Sequence, residues 1–274
     1  MRTTLVFSLL FASTSIALVA PAFADDPPAK PAFALMDNTG DGSKINLDVA
    51  AIIPTEHPDG ALFRFGFLGQ YVGPSGFGGY AGISASNLFP ADPAVGPGVG
   101  DAELGGLFQH ALGREFDLGI RVGLAFPLAN QADGRLADLA STLVTRPADL
   151  ATTLDASWLR LGISPTYHHG SAFLRADLGV DVPLFNAQGI PPIGHLNLGA
   201  GMGGNGVIAT AEMQTVFTSD QGSDRKDFHS YSTAGLSVRY QGQQLSPYVM
   251  FSTPLEDGLR GNVVTATAGL TFPF

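Results

Sequence analysis

Charged side chains occupy alternate positions in many of the short apolar runs of this chain. In the run 116–126, Asp117 and Arg121 alternate with Phe116, Ile120 and Phe126. Side chains at alternate positions of a β-strand point to opposite faces, so the charges share one face and the apolar residues share the other. Ten residues of this kind are candidates for lining an interior: Asp101, Glu103, Asp117, Arg121, Arg160, Arg175, Asp177, Glu212, His229 and Arg239.

Two kinds of chemistry are open to these ten residues. Carboxylates and guanidinium groups that face an interior can pair with one another and hold the shape of a narrow barrel, because buried charges need partners. The same groups can instead line a pore and set the selectivity of a path for solutes. The pattern alone does not decide between a structural and a conducting interior.

A catalytic centre is not indicated. Ser75 lies in Gly-Pro-Ser-Gly, which lacks the Gly-x-Ser-x-Gly spacing of a nucleophile elbow. Outer-membrane phospholipases place Ser and His on the wall of a barrel, but His195, His229, Ser230 and Ser232 match no catalytic motif of that family. We therefore predict no enzymatic activity, no catalytic residue and no cofactor.

Metal binding is not predicted either. The segment 37–42, with Asp48 at the twelfth position, has the spacing of a calcium loop. However, Thr39 is a poor third ligand, Asp48 replaces the bidentate Glu, and a Pro-rich segment replaces the entering helix, so a turn is favoured. The pair His168-His169 has no other metal-type ligand nearby in the sequence, which argues against zinc.

The elements that would position the charges are about twelve short strands, separated by clusters of Gly, Pro and Asp. The last of them, 262–274, alternates apolar residues with Thr and Gly and ends on Phe274. In bacterial outer-membrane barrels such a strand closes the barrel, and its terminal Phe resembles the signal read by the assembly machinery. The predicted strands lie at about 44–53, 62–72, 78–87, 101–111, 115–127, 158–168, 172–184, 194–203, 206–218, 227–240, 244–252 and 262–274.

The connections between these strands alternate in length. Those after even-numbered strands are short, as at Gly73–Gly76 and Gly204-Asn205, whereas those after odd-numbered strands are mostly longer. Short periplasmic turns that alternate with longer outer loops are typical of a membrane barrel, and a soluble sandwich has no reason to show them.

Export and membrane association follow from the composition. Arg2, the apolar stretch 5–20 and the site Ala22-Phe23-Ala24 predict a signal peptide over residues 1–24; a retained anchor helix is the alternative. Beyond it no stretch of about 18 apolar residues occurs, yet the mean hydropathy is +0.20 and only 14% of residues are charged. A soluble domain carries about 25% charged residues, so the excess apolar residues must pack in a core or face lipid from alternate strand positions.

The longest connection, 128–157, contains two helical patterns. Leu136, Leu139 and Leu143 have helical spacing, and Pro147 is placed to open a second short helix. We expect a surface cap rather than a segment that folds into the barrel. The long connections hold 12 Asp or Glu and five Arg or Lys, which would attract cations at the outer mouth or bridge through divalent ions to lipopolysaccharide.

A resemblance supports the same fold. The residues 98–105, Gly-Val-Gly-Asp-Ala-Glu-Leu-Gly, followed by 118–127, resemble a strand pair of the outer-membrane family associated with the meta-pathway of phenol degradation. The usual Tyr-Arg after this pair is Phe108-Gln109 here. The resemblance implies a barrel and uptake of small, partly apolar solutes.

The sequence therefore predicts an all-β protein: a closed antiparallel up-and-down transmembrane β-barrel over 44–274, preceded by an N-terminal linker over 25–43. The predicted function is a passive channel or transporter for small solutes in the outer membrane. The alternatives are a structural or surface-binding barrel with a blocked lumen and a soluble exported β-protein. The predicted partners are membrane lipid, lipopolysaccharide, the assembly machinery and a solute; the net charge of −10 argues against nucleic acid.

Overall fold

The computed structural model describes residues 31–36, 42–55, 60–89, 96–128, 132–185, 189–219 and 228–274. The predicted signal peptide and most of the candidate calcium loop, 37–41, lie outside these residues. The strands are β1 (Lys44–Pro54), β2 (Ala61–Val72), β3 (Phe77–Phe89), β4 (Gly98–Val99), β5 (Ala102–Ala111), β6 (Phe116–Phe126), β7 (Ser157–His169), β8 (Ala172–Phe185), β9 (Ile193–Gly204), β10 (Val207–Ser219), β11 (Phe228–Tyr240), β12 (Ser246–Pro254) and β13 (Val263–Pro273).

Twelve of these strands form one closed antiparallel barrel. Each pairs with its neighbour in the sequence, and β1 closes the ring by pairing with β13 on one side and with β2 on the other. The two-residue strand β4 pairs with the outer part of β3 and is additional to the twelve. The predicted barrel is confirmed, and the predicted strands differ from those observed by at most two residues at either end. Closure leaves no free edge, as a bilayer requires.

The apolar side chains point outward and the polar ones point inward. In β6 the side chains of Phe116, Ile120, Val122 and Phe126 are exposed, whereas Arg121 is buried inside the barrel. The same alternation runs through β1, where Lys44, Asn46 and Asp48 are buried and Ile45, Leu47 and Val49 are exposed. An apolar exterior around a polar interior is the reverse of a soluble protein and suits hydrocarbon outside the wall.

An arginine on the outer face of β6 tests this orientation. Ile120→Arg should lower the unfolding free energy in lipid vesicles by about 2–4 kcal/mol, the cost of a guanidinium near the bilayer midplane. Urea unfolding measured by tryptophan fluorescence gives the value, with Ile120→Leu as the control of similar size. An unchanged midpoint for the arginine variant would show that this face does not contact hydrocarbon.

The connections confirm the predicted alternation of short and long. Short turns join β2–β3, β5–β6, β7–β8, β9–β10 and β11–β12; we call this side of the barrel the turn end and the opposite side the loop end. The turn between β9 and β10 consists of Asn205 (φ 53°) and Gly206 (φ 76°). Two successive residues with positive φ form the hairpin turn whose twist matches that of the strands, and Asn-Gly is its preferred sequence.

Two helical segments lie between β6 and β7. They are α1 (Ala132–Thr145) and a 3-10 helix (Pro147–Thr153) that begins with the predicted proline. No helix in the described ranges is long and apolar enough to span a membrane.

Candidate functional site

The barrel interior contains eight of the ten predicted lining residues as buried or nearly buried side chains. They are Asp101, Glu103, Arg121, Arg160, Arg175, Asp177, Glu212 and Arg239. The other two lie at opposite ends of the inward face. Asp117 is half exposed at the turn end, 3.1 Å from His168 Nε2, and His229 is exposed at the loop end of β11.

Arg160 joins several parts of the interior. Its Nε lies 3.2 Å from Asp181 Oδ1, its Nη1 contacts Glu103, and its Nη2 donates to the Ala148 carbonyl at 2.7 Å. The same Nη2 lies 3.6 Å from Asp149 Oδ1. Both Arg160 and Asp181 have side chains that are 0% exposed. A buried guanidinium with carboxylates on several sides holds wall strands and the 3-10 helix in one network.

Residues 132–153 of this connection fold into the barrel, so the expectation of a surface cap is wrong. The 3-10 helix packs Leu150 and Ala151 against Trp158, Ile193 and Val216 on the inner wall. Thr233 Oγ1 lies 3.4 Å from the Val144 carbonyl at the end of α1. We call α1 together with the 3-10 helix the inward loop; it fills the loop-end half of the lumen.

α1 packs a polar face against β3, which the leucine spacing did not predict, while Leu139 and Leu143 are partly buried against the cluster around Trp158. Asp138, Ser141 and Thr142 are buried, whereas Leu136 is 64% exposed. Ser86 of the wall donates to Asp138 Oδ1 at 3.0 Å and lies 2.6 Å from Ser141 Oγ. Burial raises the pKa of Asp138, although the nearby Arg64 partly offsets this effect. The polar inner side of β3 therefore binds the polar face of the helix.

The break between β4 and β5 anchors the inward loop. At this break the Gly100 N–H donates to the Ser84 carbonyl at 2.8 Å, whereas the Asp101 N–H donates to Thr152 of the 3-10 helix at 2.8 Å. A Cβ on Gly100 would overlap Ser84 Oγ and crowd Asp138. The Gly-Val-Gly-Asp motif singled out in the sequence thus allows α1 to approach the wall closely.

The second segment inside the barrel is 31–36, which belongs to the predicted linker. Its residues Ala32–Met36 are buried, so this part of the chain differs from a solvated linker. The Glu212 carboxylate accepts hydrogen bonds from three successive N–H groups, those of Ala34 (2.8 Å), Leu35 (2.7 Å) and Met36 (3.0 Å). We call residues 31–36 the N-terminal plug.

The wall is shaped to receive the N-terminal plug. Phe33 packs edge-on against Phe173 with ring centroids 5.3 Å apart, and Arg239 Nη2 donates to the Phe33 carbonyl at 3.2 Å. The Gln214 amide donates to the Leu35 carbonyl. A Cβ at Gly199 would overlap Phe33 and Met36, so the absence of a side chain there makes room for the plug. The plug fills the turn-end half of the lumen.

Sequence reasoning left out several residues that prove central. Asp48, Arg64, Asp181 and His195 lie at inward strand positions, so the alternation could have included them. Asp149 was assigned to the outer mouth, but its carboxylate lies inside the barrel, 3.4 Å from Arg64 Nη2 and 3.2 Å from Arg146 Nε. No strand pattern indicates this contact, because a loop residue supplies it.

The described residues give little support for metal binding or catalysis. Among the described residues no group of three or more His, Cys, Asp or Glu is placed to hold a metal ion. His169 Nδ1 lies 2.7 Å from Glu115 Oε1 and lowers the pKa of that carboxyl. His195 is buried and lies 3.7 Å from Asp181 Oδ1, and neither ring nitrogen has a hydrogen-bond partner within the described ranges.

Comparison with known proteins concerns the fold. The outer-membrane channel COG4313 from Pseudomonas putida F1 is similar with a TM-score of 0.58 at 13% identity, over 91% of this chain and 100% of that one. The KdgM porin is similar with a TM-score of 0.50 at 9% identity, over 84% and 99%. These likenesses show a shared barrel fold. No protein-family model and no curated protein matches the chain, so the resemblance to the phenol-degradation family is not confirmed.

Proposed function

We propose that this protein is a passive outer-membrane channel for small solutes, with a lumen that two of its own segments close. The observation that carries the proposal is the contrast between the two sides of the wall. An apolar exterior suits lipid, whereas many charged side chains point into the interior. The known channels of similar fold are consistent with this function.

The burial of the side chains that point into the lumen supports a closed state. A cavity of about 60 Å³ lies between the inward loop and the wall. A water molecule needs roughly 10–15 Å³ by this measure, so the cavity holds about four waters. Passage of a solute requires the inward loop and the N-terminal plug to move. Both are held by apolar packing and also by hydrogen bonds and ion pairs, and water can replace the polar contacts.

A structural barrel with a permanently blocked lumen is the second candidate. The burial of the N-terminal plug and of the inward loop favours it. The two functions differ in the full chain: a channel admits solutes when the inward loop and the plug move, whereas a permanently blocked barrel admits none until these segments are removed.

Solute entry into proteoliposomes distinguishes the two. We expect the full chain to admit uncharged solutes slowly, with rates that fall as solute size rises. A variant with a short Gly-Ser turn in place of 132–153 and without 31–36 should admit them much faster. Heat-modifiable gel mobility shows that each barrel is folded, and cell fractionation tests the outer-membrane location. If the folded full chain admits no solute and gives no current in planar bilayers, the transport function is wrong.

A further inference from the structure

The cavity between the inward loop and the wall is lined by two pairs of opposite charges. The wall supplies Asp48 of β1 and Arg64 of β2, and the inward loop supplies Arg146 and Asp149. Asp48 pairs across the sheet with Gly66, and Arg64 pairs with Ala50, so the two side chains are diagonal neighbours on the inner face. The wall thus offers an acidic and a basic group side by side.

The charges of the inward loop are matched to those of the wall. Arg146 Nη1 lies 3.9 Å from Asp48 Oδ2, and Asp149 Oδ2 lies 3.4 Å from Arg64 Nη2. The two loop residues also contact each other, with 3.2 Å between Arg146 Nε and Asp149 Oδ2. Among the described residues, Arg146 and Asp149 are the ion-pair partners of Asp48 and Arg64. The loop therefore presents to the wall a cation and an anion held close together.

The rest of the cavity does not favour one sign of charge. Its other charged wall groups are Asp101, Glu103 and Arg121, with Arg160 bound to Glu103 just outside the cavity. Carboxylates and guanidinium groups are therefore nearly balanced around it. A simple anion or a simple cation would meet a like charge within a few ångströms, whereas a molecule with both charges would satisfy Asp48 and Arg64 together.

We infer that Asp48 and Arg64 form a binding site for a small zwitterionic solute, one with an ammonium and a carboxylate group close together, as in an amino acid. The ammonium lies at Asp48 and the carboxylate at Arg64. In the closed state Arg146 and Asp149 of the inward loop occupy this site and so compete with the solute for Asp48 and Arg64; we call this pair the tethered competitor. This inference rests on the channel proposed above, because the solute reaches the site only when the inward loop withdraws.

Entry of two matched solutes tests the site in proteoliposomes that contain the full chain. Alanine is a zwitterion, and lactamide is an uncharged molecule of nearly the same size; both have zero net charge, so the membrane potential affects neither. We expect alanine at low concentration to enter about threefold to tenfold faster than lactamide, the range for two partly screened ion pairs. Asp48→Asn and Arg64→Gln should each reduce this ratio towards one.

Two double variants extend the test to the case in which a single substitution at Asp48 or Arg64 disturbs the folding of the wall. The exchange Asp48→Arg with Arg64→Asp keeps both charges and should retain more of the alanine preference than either single variant. Arg146→Gln with Asp149→Asn removes the tethered competitor and should raise alanine entry more than lactamide entry. Equal entry of both solutes in the wild type and all variants overturns the zwitterion site but leaves the channel in place. If neither solute enters any variant, both the channel and the site are wrong.

Discussion

Glu212→Gln should increase the fraction of open channels by about tenfold to a hundredfold. The carboxylate accepts three N–H groups of the N-terminal plug, and hydrogen bonds to a charged group contribute about 1.5–3 kcal/mol each. The neutral amide of glutamine keeps one accepting oxygen, so we expect the plug to lose about 1.5–3 kcal/mol of binding free energy in all. Each 1.4 kcal/mol changes an equilibrium constant by a factor of ten. The channel opens only when the plug and the inward loop have both left the lumen, so the open fraction is the product of two equilibrium constants. A tenfold rise in the release of the plug therefore raises the open fraction tenfold.

A cysteine in the plug measures this release directly. The chain has no cysteine, so Leu35→Cys places a single thiol where the native side chain is fully buried. Labelling of this thiol by a water-soluble maleimide should be slow in the otherwise native chain and faster by a similar factor when Glu212→Gln is added. Single-channel recordings in planar bilayers give the open fraction of the same proteins.

Glu115→Gln is the matched control for Glu212→Gln. It removes a carboxylate of the same type from an exposed turn that has no contact with the plug. We expect neither the labelling rate nor the current to change. Equal labelling of Leu35→Cys in the native and Glu212→Gln backgrounds would show that Glu212 does not hold the plug.

The sequence predicted the wall of this protein because a barrel strand has two faces with different surroundings. Arg121 and Phe116 could be assigned to opposite faces from their spacing alone, since alternation is a local property of the chain. The turn Asn205-Gly206 is equally local, because positive φ at two successive positions requires particular residues. These features supplied the strand number, the closure and the inward position of most charges.

The contents of the lumen could not be predicted in the same way. The leucine spacing of α1 did not indicate which face would bind the wall: Ser141 contacts Ser86 of β3, whereas Leu139 and Leu143 pack against the cluster around Trp158. The Pro-rich composition around residue 31 suggested an extended linker, and it gave no sign that Glu212, 178 residues further along from Ala34, binds the N–H groups of this segment. Such contacts depend on where the closed barrel brings distant residues, and no periodicity in the plug or the inward loop encodes them.

The network around Arg160 carries the largest expected effect on stability. Arg160→Met should lower the unfolding free energy by about 3–5 kcal/mol, the usual cost of leaving buried charges without their partner. Asp181 is 0% exposed and would lose the guanidinium that lies 3.2 Å away, and Glu103 and the Ala148 carbonyl would lose a donor at the same time. Urea unfolding in lipid vesicles, followed by tryptophan fluorescence, measures the change.

The exposed pair at Arg260 provides the control for this substitution. Arg260→Met removes a guanidinium that is 65% exposed and lies 3.4 Å from the fully exposed carboxylate of Asp257. Water and salt screen such a pair, so we expect stability close to that of the wild type. A similar loss for Arg160→Met and Arg260→Met would mean that the interior charges are as well solvated as the surface ones.

A double-variant cycle shows which contact of Arg160 matters. If the cost of Arg160→Met comes mainly from the unpaired carboxylate of Asp181, adding Asp181→Asn should recover much of it, because a neutral amide needs no counter-charge. The same substitution in the native background should destabilise the barrel, since it leaves Arg160 with one partner fewer. Additive losses would instead place the cost at the other partners of Arg160, which are Glu103 of the wall and Ala148 and Asp149 of the inward loop.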